Sequence, residues 1–198
     1  VKQSDGVTAS LRVDRNGGAE GEVCLSSKAI EAAQGGAVSL PLPALPGAGD
    51  VTVHTGSSRV VRVEIPVIGY GPSVVAYLVG DGGVEKMVRT AVLTGGELAL
   101  DVSDGATVRI RDNGKSFADT RGHWAEDAIQ CVASRDLFSG KAAGDFAPDT
   151  PMSRGMLTAV LARLDGVEAS CSSAYEKGMA WAVANGISDG RNPDGRVT

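Results

Sequence analysis

The amino-acid sequence predicts a multidomain α+β protein, with a β-sandwich-like domain over residues 1–115 and all-α helix-loop-helix repeats over residues 116–198. Up to residue 115, apolar and polar residues alternate in short runs between glycine-rich turns, which is typical of strands. Beyond it, apolar residues recur at helical spacing and most of the aromatic residues appear. This change in period and composition indicates a domain boundary.

In the first part, glycine-rich segments separate the predicted strands. "GDGG" at 80–83 and "TGGE" at 94–97 supply the positive-φ positions that hairpins need. A short helix is predicted over 27–34, with a serine as N-cap and a glycine as terminator. "DRNGGAEGE", which begins at Asp14, is predicted to be a hairpin turn and not a calcium loop. The predicted strands are "VTASLRV", "AVSLPL", "VTVH", "RVVRVEIPV", "SVVAYLV", "VEKMVRTAVL", "ELALDV" and "ATVRIRD".

In the second part, two helices are predicted on either side of the loop "DLFSGKAAGDFAPDTP". Apolar residues at helical spacing define the face of each helix that is expected to meet the core. These residues are Trp124, Ala128, Cys131 and Val132 in the first helix, and Met156, Val160, Leu161 and Leu164 in the second.

The second part also contains an internal repeat. "AYEKGMAWAVANGISDG" at 174–190 matches "WAEDAIQCVASRDLFSG" at 124–140 at an offset of 50, and Pro193 matches Pro148 at an offset of 45 because the second loop is shorter. In this register Thr198 matches Ser153. The predicted modules are therefore residues 116–166 and a truncated copy over 167–198.

Several segments of this part, in order, resemble a known family. "FADTRGHWAEDAI", "LFSG" and "GDFAPDTPMSRGMLTAVLARL" resemble the S-layer homology (SLH) module of bacterial cell-surface proteins. The resemblance covers 117–164, and residues 174–198 resemble the first half of a second module. It leads us to expect that the parent protein continues with an arginine, and a start at Val1 suggests an excised piece. The upstream domain is similar to β-rich segments that precede such modules in Gram-positive surface proteins.

The resemblance implies a noncatalytic anchor that holds a secreted protein on the cell wall. SLH modules grip secondary cell-wall polysaccharide, often with ketal-linked pyruvate, and three repeats usually form a pseudo-threefold bundle. One and a half modules would leave the grooves between repeats incomplete. We therefore expect weak polymer binding and self-association, with no enzyme activity, no cofactor and no membrane insertion.

Ser153 and Arg154 are the leading candidates for ligand binding, with Thr198 at the matching position of the second repeat. Ser153 is expected to be the N-cap of a helix whose first N–H groups stay free, and Arg154 adds a planar cationic donor. This combination suits a carboxylate such as pyruvate. The alternative is an ordinary capped helix whose arginine is solvated or pairs with Asp149. Met156 stands where a capping-box glutamate is usual, so the box is expected to be half made.

Four further residues complete the candidate site. Trp124 either stacks on a sugar ring or belongs to the core, and Asp119 accepts from a loop N–H or from a ligand hydroxyl. Gly140 and Gly190 are expected to adopt positive φ and to let the backbone approach a ligand. Trp181 is expected to lie in the core.

Other functional classes receive little support from the composition. The net charge of -5 gives no basic face for nucleic acid, and the three cysteines and two histidines form no metal-binding pattern. A disulfide between Cys131 and Cys171 is less expected than buried thiols. Two alternatives stay open: an adhesin or carbohydrate-binding module in the β-domain, and the anchoring portion of a wall-associated hydrolase.

Overall fold

A computed structural model of the chain forms two compact units, Val1–Asn113 and Gly114–Thr198. The structure describes residues 9–15, 21–25, 40–41, 50–54, 58–67, 69–168 and 174–197. Within these residues the first unit is β-rich and the second is helical, so the mixed α+β class predicted from the sequence is confirmed. The helix predicted over 27–34 lies outside the described residues.

The described residues of the first unit form two sheets whose strands are antiparallel, apart from the short parallel pair β3 and β5. One sheet has the order β2-β1-β4-β10-β6-β7 and the other has the order β3-β5-β9-β8. The strands are β1 (Ala9–Arg15), β2 (Gly21–Leu25), β3 (Leu40–Pro41), β4 (Asp50–His54), β5 (Val61–Pro66), β6 (Val74–Val79), β7 (Glu85–Met87), β8 (Val92–Thr94), β9 (Glu97–Val102) and β10 (Ala106–Asp112).

Both sheets contribute side chains to one apolar core. Alternation along β4 and β5 buries every second residue, as a half-buried strand requires. Valine dominates because a β-branched side chain packs well on a pleated surface. Fully buried members of this core include Val53, Val108, Val63, Ile65, Leu98 and Leu100.

The strand predictions were correct for most of the unit and wrong at two places. The run at 84–93 was expected to be one strand, but it forms β7 and β8, which belong to different sheets. The turn predicted from Asp14 included Gly21 and Glu22, but these two residues begin β2, the antiparallel partner of β1, which the sequence did not predict. The "TGGE" turn joins β8 to β9 as predicted, with Gly95 and Gly96 at positive φ.

The helices described in the second unit are α1 (Glu126–Ser134), α2 (Arg154–Leu164) and α3 (Ala174–Ala184). Each ends in the same way. The residue after the last turn has positive φ, and the next N–H bonds back to a carbonyl five residues earlier. The three positive-φ residues are Asp136, Gly166 and Gly186.

The helix faces that contact the core differ from those predicted. Ala128 is exposed and α1 buries Ile129 and Ala133. In α2 the buried residues are small, while Leu164 is exposed. The reason is close packing of α2 on α3: a Cβ added to Gly178 would lie 2.5 Å from the Ala159 Cα. Such an approach leaves space only for small side chains at the contact.

The backbone repeats the pattern found in the sequence. Gly140 and Gly190 both have φ of 75°, and Asp136 and Gly186 form matching helix stops. Ala147 and Asn192 are also at positive φ, which is uncommon for non-glycine residues. The first two pairs are separated by 50 residues and the last by 45, as the sequence register requires.

Candidate functional site

The loop before α1 is tied to the loop before α2 by one carboxylate. Asp119 accepts the N–H of Phe146 at 3.0 Å and that of Ala147 at 2.6 Å. The first of these bonds is the main cause of a lowered pKa of Asp119. The Phe117 ring packs edge-on against Phe146 at 5.1 Å. Asp119 therefore makes the loop contact that was one of its two expected roles.

Trp124 lies immediately before α1 and is 91% exposed. The expectation that it could be a core residue is therefore wrong. Its indole lies 5.5 Å from the imidazole of His123, whose Nδ1 accepts the Ala125 N–H at 3.2 Å. The Nε2 of His123 lies 3.4 Å from Asp149. The fold thus presents a broad aromatic face to solvent beside a fixed histidine.

Ser153 is the N-cap of α2, as predicted. Its hydroxyl accepts the Met156 N–H at 3.2 Å, and the Met156 sulfur lies 3.5 Å from the Ser153 backbone nitrogen. The thioether therefore occupies the place of the missing glutamate, and the capping box is more complete than expected. Sulfur is a weak acceptor, so this half of the box is weaker than a carboxylate would make it.

The N–H groups at the start of α2 are not free, which corrects the anion-binding geometry expected from the sequence. The N–H of Arg154 donates to the Gly195 carbonyl and that of Gly155 to the Pro193 carbonyl, both at 2.8 Å. The third N–H is held by Ser153. Because each donor already has a protein acceptor, a ligand carboxylate would have to displace one of them.

The Arg154 side chain pairs with the second repeat. Its Nη2 donates to the Asp189 carboxylate at 3.3 Å, and that same oxygen accepts the Arg191 N–H at 3.0 Å. The expected alternative partner, Asp149, lies instead beside His123. The Arg154 and Asp189 side chains keep 43% and 58% of their surface exposed, so both can be reached from solvent.

A groove of about 680 Å³ opens beside the start of α2, large enough for a small ligand. It is bordered by the residues on either side of Arg154 and by side chains of α3 and the following turn. Its apolar wall includes Tyr175, Met179, Val183 and Pro193. Its acidic groups are Glu176 and Asp194, and no basic residue is among those that line it in the described part of the chain.

The two candidate glycines serve the fold directly. A Cβ at Gly140 would lie 2.6 Å from the Asp145 carbonyl oxygen, and one at Gly190 would lie 3.1 Å from Val183. Both need positive φ, as predicted, and the close approach seen at Gly140 is to its own chain. Thr198, the remaining candidate, lies outside the described residues.

Three other expectations concern residues near this region. Trp181 is half-buried, not fully in the core, and its indole N–H donates to Asp165 at 2.8 Å. Cys131 is a half-buried free thiol, while Cys171 lies outside the described residues. In the described ranges no cluster of metal-ligating side chains occurs. No helix in these ranges is long and apolar enough to span a bilayer.

Sequence reasoning missed Asp189 and the turn at 193–197. The sequence did contain a signal for Asp189. At the offset of 50 it aligns with Ser139, so the second repeat has a charged residue where the first has a neutral one. The turn at 193–197 packs against the start of α2: the Val197 N–H donates to the Met152 carbonyl, and Arg196 forms an antiparallel β-bridge with Ser153. No local sequence pattern indicates this contact.

Comparison with known proteins agrees with the resemblance seen in the sequence. The family model described as the S-layer homology domain matches residues 116–155, from the loop before α1 to the first turn of α2. Neither the curated proteins nor the solved structures gave a match. Domains of this family are noncatalytic and are associated with anchoring proteins at the cell surface through cell-wall polymers. Residues 116–155 of the chain therefore match the S-layer homology family.

Proposed function

We propose that the chain anchors a secreted protein to the wall of a Gram-positive cell by binding secondary cell-wall polysaccharide through SLH modules at 116–166 and 167–198. The observation that carries this proposal is the family match over 116–155. The accessible Trp124 face and the reachable Arg154 support it, because saccharides are bound by aromatic stacking together with hydrogen bonds. The first unit would be a noncatalytic β-sandwich-like spacer or adaptor.

The β-unit is a weaker candidate for saccharide binding. Its two tyrosines already have neighbours: Tyr70 packs against the core, and the Arg111 guanidinium lies 5.5 Å from the Tyr77 ring centroid. Arg111 is in turn paired with Glu85. An adhesin role for this unit would therefore need a mode of binding other than stacking on a free tyrosine.

Titration of polysaccharide isolated from walls into the intact chain would test the proposal. We expect saturable binding, with an affinity that falls roughly fivefold or more in Trp124→Ala and in Arg154→Ala. An aromatic ring stacked on a sugar, or a charge-assisted hydrogen bond, contributes on the order of 1 kcal/mol to binding. Val84→Ala and Arg59→Ala are the matched controls, because both residues are exposed in the other unit. Equal losses in the controls, or no saturable binding, would contradict the proposal.

A further inference from the structure

Trp124 lies at the surface, where packing does little to set the orientation of its side chain. The indole is 91% exposed. A side chain in that position samples several rotamers in water, and a ligand that stacks on it must restrict them at a cost in free energy. An exposed indole therefore binds a sugar ring more tightly when neighbouring groups already hold it in place.

The backbone on both sides of Trp124 is fixed by hydrogen bonds. The His123 N–H donates to the Thr120 carbonyl at 3.0 Å, and the Glu126 N–H donates to the His123 carbonyl at 2.9 Å. The Gly122 N–H donates to the Glu126 carboxylate at 2.9 Å. The turn that carries the tryptophan is thus bonded before and after it.

The imidazole of His123 completes this turn. Its Nδ1 accepts the Ala125 N–H at 3.2 Å, so the proton of the neutral ring is on Nε2, which lies 3.4 Å from Asp149. The side chain of His123 is only 17% exposed. Its ring centroid lies 5.5 Å from that of the indole, with the two planes inclined at 36°. A histidine with contacts at both nitrogens therefore borders the exposed indole.

We propose that His123 is a positioning residue that holds Trp124 ready for a sugar ring. The hydrogen bond that it accepts from Ala125 fixes the peptide after the tryptophan, and its ring restricts the rotamers of the indole. Because the indole then loses less conformational freedom when a sugar stacks on it, the affinity for the polymer is higher. This inference rests on the proposed polysaccharide binding and adds a residue that acts through Trp124.

A double-mutant cycle separates this role from a purely structural one. Wall polysaccharide is titrated into the intact chain, His123→Ala, Trp124→Ala and the variant with both substitutions. His123→Asn is added because the oxygen of an asparagine side chain accepts the N–H two residues on, as Nδ1 does here. His54→Ala is the matched control, since the other histidine of the chain lies on β4 in the first unit.

We expect His123→Ala to weaken polymer binding about threefold to fivefold, and His123→Asn and His54→Ala to stay within about twofold of the intact chain. In the Trp124→Ala background, His123→Ala should cause no further loss. Fluorescence anisotropy decay of the indole, with Trp181 replaced by phenylalanine in each protein that retains Trp124, should show faster motion in His123→Ala than in His123→Asn.

An unchanged affinity in His123→Ala, or an equal loss in both backgrounds, would overturn this inference and leave polysaccharide binding intact. So would an asparagine variant that binds as weakly as the alanine variant. If His123→Ala does not fold, His123→Gln replaces it, because its amide lies one bond farther along the side chain than Nδ1 does. Absence of saturable binding by the intact chain would overturn the proposed function together with this inference.

Discussion

Two short polar side chains hold the loops of the C-terminal unit in place. Asp119 joins two loops through two backbone N–H groups, and Ser153 caps α2. Each bond satisfies a donor that would otherwise depend on water. Because both contacts flank the candidate site, changes at these residues report on how firmly the site is held.

Ser153→Ala should lower the free energy of unfolding of the C-terminal unit by about 1 kcal/mol, the usual cost of losing a hydroxyl N-cap. Ser153→Asp keeps an acceptor at the cap and should lose much less. Urea titrations followed by the circular dichroism of the helices would measure the difference. Equal stability of the alanine variant and the original chain would show that the turn at 193–197 is enough to stabilise the start of α2 without the Ser153 cap.

Asp119→Asn should destabilise the unit at neutral pH, because the two loop N–H groups bond to different carboxylate oxygens and the amide nitrogen that replaces one oxygen cannot accept. The lowered pKa fixes the pH dependence. The stabilisation that ionised Asp119 gives the folded unit is complete above the ordinary pKa of 3.8. It is lost as the pH falls through the lower pKa that Asp119 has in the folded state. Denaturation midpoints of the two proteins should therefore differ near pH 7 and converge in strong acid. A gap that persists unchanged in acid would contradict an ionic role for Asp119.

Sequence patterns predicted local conformation at the candidate residues Ser153 and Gly140 better than they predicted tertiary hydrogen-bond partners. Ser153 as a cap follows from a serine before an apolar run, and positive φ at Gly140 follows from the residue type. The acceptors at Pro193 and Gly195 could not be foreseen, since they reach α2 through a tertiary contact. The expectation of a free helix start failed for that reason.

At the level of elements, the contact between α2 and α3 organises the C-terminal unit. Small residues lie on the buried side of α2, so the two backbones approach closely at Gly178. The sequence-based choice of large apolar residues as the core face was wrong because it assumed the greater helix separation that large side chains need. The helix stops, by contrast, follow local chemistry and recur in all three described helices.

Gly178→Ala should destabilise the unit by about 1–3 kcal/mol, although alanine is normally the better helix former. The added methyl would overlap the backbone at Ala159. Gly155→Ala is the matched control, since its Cβ would lie 3.3 Å from the Pro193 carbonyl and requires a smaller shift. A stabilised Gly178→Ala variant in thermal unfolding would mean that the helices are farther apart.

For the molecule as a whole, exposed apolar side chains bear on the expectation of self-association. Ile187 is 52% exposed and Tyr175 is 55% exposed, both in the second repeat. We propose that these exposed side chains let copies of the chain associate, because apolar groups gain by leaving water.

Light scattering over a range of concentrations would measure that tendency. The apparent mass of the intact chain should rise with concentration, and Ile187→Ser should reduce the rise. Val84→Ser, which changes a 70% exposed valine in the other unit, should not. A monomer that stays monodisperse at every concentration would contradict the proposed association.

The fold class and the repeat were predictable because both depend on periodic patterns along the chain. The pairing of 84–93 was not, since a short apolar run does not specify which sheet each half joins. The proposed function depends on the family motifs that occur in order around Trp124 and Arg154. Their chemistry alone fits many ligands.

Cosedimentation of the intact chain with purified wall sacculi, before and after removal of their secondary polysaccharide, tests wall anchoring most directly. We expect the chain to pellet with intact sacculi, to stay in solution once the polymer is stripped, and to pellet less when Trp124 and Arg154 are both alanine. Pelleting that is indifferent to the polymer and to both substitutions would contradict the proposed anchoring.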